Sequence, residues 1–141
     1  MMENYFEKAK VDSKSSKANS VPNLIAEILD ATSKVHILHL IVRGKSSYAQ
    51  HKALNELYDA LPDLADAVAE SWQGATGQIP KYQFVSAPEL NSVDECLKYI
   101  DSLRNKITAV QKTVRFSEIN NDLDTIKTAL NSAYYKLKFL G

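Results

Sequence analysis

The chain has 141 residues, a formal net charge of +0 and 45% hydrophobic residues. That length fits one domain with a real core, and the balanced charge excludes a strongly basic nucleic-acid binder as the simple reading. Four glycines and four prolines favour helices over a turn-rich sheet protein, and a lone cysteine, Cys96, excludes a disulfide framework within the chain. In chain order, residues 1–19 read as a flexible tail, with Lys8, Lys10, Lys14 and Lys17 among serines and alanines. Residues 20–141 read as one bundle. Ser20 caps a first helix with Pro22 just inside it, and Leu24, Ile28, Ala31, Val35, Leu38 and Val42 recur at helical spacing up to Gly44. A second helix is expected from a capping box of Ser47 and Gln50, with a stripe of Leu54, Leu57, Leu61, Leu64, Val68 and Trp72. Pro62 lies inside this stripe and is expected to kink or split the helix, and Gly74 and Gly77 close it.

The stretch 74–91 is the long connection of the chain. Ser92 and Glu95 then open a third helix carrying Leu97, Ile100, Leu103, Ile107, Val110 and Val114. After a short turn at 115–117, a fourth helix carries Ile119, Leu123, Ile126, Leu130, Ala133, Leu137 and Leu140 in alternating steps of four and three. Two helical hairpins joined by one long link predict an all-α, antiparallel four-helix bundle with a crossover between helices two and three. No apolar run reaches the roughly 18 residues of a membrane span, and the first residues hold no apolar signal core. The expectation is therefore a soluble, cytoplasmic protein.

Four polar residues do not suit a plain bundle. His39 falls on the core side of helix one, and His51 lies one turn into helix two. Asp66 and Glu70 share a face late in helix two, one turn apart. Imidazoles and carboxylates together suit iron, with zinc or manganese as alternatives. His51 and Asp66 are fifteen residues apart on one helix, about 22 Å, so a single ion cannot touch both within one chain. His39 and His51 flank a tight turn and can approach. A two-fold dimer packing helix two antiparallel on itself would bring the histidine end of one copy to the carboxylate end of the other.

The segment His39-Leu40-Ile41-Val42-Arg43-Gly44, then His51, Asn55 to Asp59, and Asp66 to Glu70, resembles the signature of the DNA-protection-during-starvation (Dps) proteins, which are miniature ferritins. The resemblance implies a ferritin-like bundle and a twelve-subunit shell. It also implies a ferroxidase site for iron at a two-fold interface, with His39 and His51 from one subunit and Asp66 and Glu70 from its mate. Iron storage, oxidative protection and DNA binding through a lysine-rich tail are implied as well. Three positions depart from that pattern: Asn55 in place of a carboxylate, Leu40 in place of a tryptophan, and Pro62 in mid-helix. Asn55 also favours a competing reading, a structural or interaction protein with a degenerate site, and the tail favours a DNA-binding assembly. His36 reads as surface or core and Trp72 and Cys96 as core. Tyr58 reads as packing near the two-fold axis, and Tyr134 and Tyr135 as residues able to reach an interface. No nucleophile constellation, glycine-rich phosphate loop or pair of CxxC motifs is present.

Overall fold

In a computed structural model, the structure describes residues 19–85 and 88–141, and these form four helices with no strand among them. Helix α1 spans Val21–Ile41, α2 Ser47–Thr76, α3 Val93–Gln111 and α4 Ser117–Phe139. The expected tail lies outside the described residues, apart from Asn19, and so do its lysines. Among the described residues no helix is long and apolar enough to cross a membrane.

The helix starts show how local chemistry sets the boundaries. Ser20 Oγ accepts from the Asn23 amide at 3.3 Å, and Pro22 sits where its missing N–H has no helical partner to lose. Ser92 Oγ accepts from the Glu95 amide at 3.1 Å. Glu95 does not return the bond to Ser92; its carboxylate accepts from the Asn91 amide at 2.6 Å, one residue earlier. The start of α2 differs from expectation. Its N-cap is Ser46, held in the left-handed region at φ 69°, and no side chain caps the helix. The tight turn from Gly44, at φ 97°, to Ser46 makes Ser47 the first helical residue and not the cap, so no capping box forms there.

Pro62 neither splits nor ends α2, which runs unbroken through it. Proline removes one ladder bond, but Leu61 and Ala65 beside it are fully buried, and this packing holds the segment helical. Gly74 lies within the last turn, and Gly77, at φ 70°, is the residue that ends the helix. The N-cap of α4 is Phe116, whose fully buried ring stands in place of a polar cap.

The four stripes meet in one core that includes Ile28, Leu54, Leu61, Ile100, Ile107, Leu123 and Ile126, all inaccessible to solvent or nearly so. α1 packs on α2 and α3, and α4 packs on α2 and α3, so α1 and α4 are diagonal. Glu27, early in α1, pairs with Lys106, late in α3. Glu56, early in α2, pairs with Lys136, late in α4, at 2.5 Å. Each neighbouring pair is therefore antiparallel. The described part of the crossover passes beside α1, where Tyr82, Phe84 and Val85 and the α1 residues Ala26, Leu29 and Ser33 line a cavity of about 430 Å³. The fold is the expected four-helix bundle with one long crossover.

Candidate functional site

The tight α1–α2 turn places three histidines and a tyrosine in one cluster. His39 and His51 stack with ring centroids 3.6 Å apart, and His36 stacks on Tyr58 at 3.9 Å. The Tyr58 and His39 rings meet in a T-shaped contact with centroids 5.0 Å apart, which joins the two stacks. The pairing of His39 with His51 is the part of the expected set that the fold assembles. The sequence marks His36 and Tyr58 only as separate surface or packing residues. The ten-residue step from Leu38 to Tyr48 gave no sign that the second helix would bring Tyr58 back over His36.

His39 is only 7% exposed, and both its ring nitrogens are buried without a hydrogen-bond partner. Burial holds its pKa below the ordinary histidine value, helped by the neighbouring imidazoles of His51 and His36 and opposed by the Asp59 carboxylate. His51 is exposed, and its Nδ1 lies 3.0 Å from the His39 carbonyl oxygen. A carbonyl can only accept, so Nδ1 carries the proton. In the neutral ring this leaves the Nε2 lone pair free as a donor to a cation.

Asn55 has work within this face of α2. Tyr58 donates to its amide oxygen at 2.5 Å, and its amide nitrogen donates to Asp59 at 3.1 Å. The residue read as a lost ligand is thus a bridge between a hydroxyl and a carboxylate. Asp66 and Glu70 are exposed on the distal half of α2. Because α2 is one continuous helix, they stay about 22 Å or more along its axis from His51. Among the described residues no group of three or more histidine, cysteine, aspartate or glutamate side chains is disposed to hold an ion within the single chain.

Other features resolve to packing. Lys34, which carried no signal in the sequence, is buried; it pairs with Asp30 at 2.7 Å and sits over the Tyr99 ring. Trp72 and Cys96 are core residues, as expected. Tyr134 lies under Arg104, and Tyr135 is exposed. A cavity of about 1120 Å³ opens between the ends of α1 and α4 and the starts of α2 and α3, and the histidines do not line it.

A family model described as a family of unknown function (DUF5856) matches residues 44–137. An uncharacterised 14.6 kDa protein of Enterobacteria phage T4, from the mobD–ri intergenic region, is 26% identical over 129 residues, covering 91% of this chain and 92% of its own. No solved structure matches. These findings correct the expectation of a miniature ferritin. The family that matches is a different one, and its segment begins at Gly44, beyond His39. What the short His39 to Glu70 signature shares with the Dps pattern is residue type and spacing, which two helices with ordinary exposed acids can reproduce.

Proposed function

This chain belongs to the DUF5856 family, a family of unknown function, so we propose a role from its own side chains. It is a metal-binding helical bundle that takes a first-row transition ion, such as iron, at the His39–His51 pair. Asp66 and Glu70 of a second copy complete the donor set. The observation that carries this reading is the buried His39 ring with two unpartnered nitrogens, packed on a second imidazole whose own lone pair is free. A buried polar group without a partner calls for an ion or a water. Stacked rings do not aim their nitrogens at one point, so loading requires the exposed His51 ring to swing off the stack. The His39 carbonyl bond then serves as the hinge that keeps its tautomer. Mixed imidazole and carboxylate donors suit iron, zinc or manganese, and carboxylates favour the ferric state.

The test is complementation. Metal-stripped protein is titrated with Fe(II) under argon, beside His39→Ala, Asp66→Ala and an equimolar mixture of the two variants. Each variant alone is expected to lose saturable binding, and the mixture to regain up to a quarter of the wild-type sites through mixed dimers. Peroxide added afterwards measures whether bound iron oxidises faster than free iron. Variants that bind like the wild type would remove the reading. A second reading, an interaction bundle with no metal, is favoured by the aliphatic outer face of α1.

A further inference from the structure

The exposed residues of α1 are Leu29, Ser33, His36, Ile37, Leu40 and Ile41. None is a carboxylate, an amine or a guanidinium. The outer faces of the other helices are charged in the ordinary way, with Lys52, Asp63 and Asp66 on α2, Asp94, Lys98 and Asp101 on α3, and Asp124 and Lys138 on α4. The partly buried acids of α1 are already engaged, Glu27 by Lys106 and Asp30 by Lys34. A helix apolar on both its inner and outer faces is one that is covered on both.

Leu29 is 42% exposed, Ile37 52%, Leu40 68%, Ile41 46% and Tyr48, in the first turn of α2, 74%. Together they leave roughly 600 Å² of residue surface in water, close to the roughly 800 Å² that each partner gives to a standard interface. We propose that this face is covered by a second copy of the chain, with α1 antiparallel on α1 about a two-fold axis. With the axis between Ser33 and His36, Leu29 of each copy, flanked by Tyr82 and Phe84 of its own crossover, faces Leu40 of the other. The small Ser33 sits opposite His36, and no like charges meet.

Charge complementarity favours the same occupant. The α1–α2 turn and the start of α2 expose Arg43, Lys45 and Lys52, and further along α2 come Asp59, Asp63, Asp66 and Glu70. An antiparallel two-fold sets the basic end of each copy against the acidic end of the other, twice. A parallel arrangement would set like against like. The dimer goes beyond the metal reading and does not need it; a shared site needs a two-fold dimer that sets the two ends of α2 against each other.

The full chain is run by sedimentation equilibrium in EDTA, so that failure of metal binding and failure of the dimer are read separately. The expected mass is twice the 15.7 kDa of the chain. Leu40→Glu, with its helicity checked by circular dichroism, is expected to weaken the dimer at least about 100-fold. Lys52→Glu and Asp66→Lys are each expected to weaken it, and the double variant to restore it, which decides the matter even if Leu40→Glu misfolds. A wild-type protein that stays monomeric at several hundred micromolar would overturn the proposal. So would a dimer indifferent to both Leu40→Glu and the charge swap.

Discussion

Asn55 occupies the position where the expected metal pattern places a carboxylate, and its amide does something a carboxylate cannot. It accepts from Tyr58 and donates to Asp59 at the same time. Asn55→Asp would keep the first bond, lose the second and set two negative charges one helical turn apart. The expected result is a loss of about 0.5–1.5 kcal/mol, the range of one surface-accessible hydrogen bond plus a like-charge pair. It is read as a lower urea midpoint with unchanged slope. Asp59→Asn in that background should recover most of the loss, because the repulsion goes with it. A midpoint that Asn55→Asp leaves in place would mean that the bridge contributes nothing to stability. From one sequence the amide read only as a missing ligand, because its two partners lie on the same helix and neither carries a motif of its own.

At the scale of elements, α2 carries the clearest departure from local preference. Pro62 sits in the middle of a 30-residue helix and leaves the Tyr58 carbonyl without its usual donor. Pro62→Ala restores that bond and removes the ring's clash with the preceding turn. The expected gain is about 1–3 kcal/mol, checked as a melting temperature higher by several degrees. A lower melting temperature would show that the ring packs to more effect than the lost bond. The four helices, their order and the crossover were legible from stripe periodicity and from Ser20 and Ser92, because those signals are local. The unbroken passage through Pro62 was not legible, since it depends on neighbouring helices holding Leu61 and Ala65 in the core. Nor was the left-handed Ser46, which follows from how tightly α1 must return into α2. Of the site, the approach of His39 to His51 followed from the short turn. The His36–Tyr58 stack needed the register of two helices, which no single periodicity supplies.

At the scale of the molecule, the two proposals are linked by mass action. A site made from histidines of one copy and carboxylates of another exists only in the dimer. At a metal concentration about 100 times its Kd, each shared site would tighten the dimer by about 2.7 kcal/mol, roughly 100-fold. Sedimentation with and without metal checks this, using Leu40→Glu to bring the dissociation constant into a measurable range. A constant that metal leaves unchanged would exclude a site shared across the dimer.

The buried thiol of Cys96 has a consequence for how such a molecule can be watched. It is the only cysteine in the sequence, it is fully enclosed in α3, and burial pushes its pKa up to about 12. In the closed bundle it is inert to alkylating reagents, since the reactive form is the thiolate and the reagent cannot reach it. Labelling therefore proceeds only through moments when the helices part, and where reclosing outruns labelling the rate reports the population of the open state. The chain thus carries its own stopwatch for breathing, readable by mass spectrometry without any engineered probe.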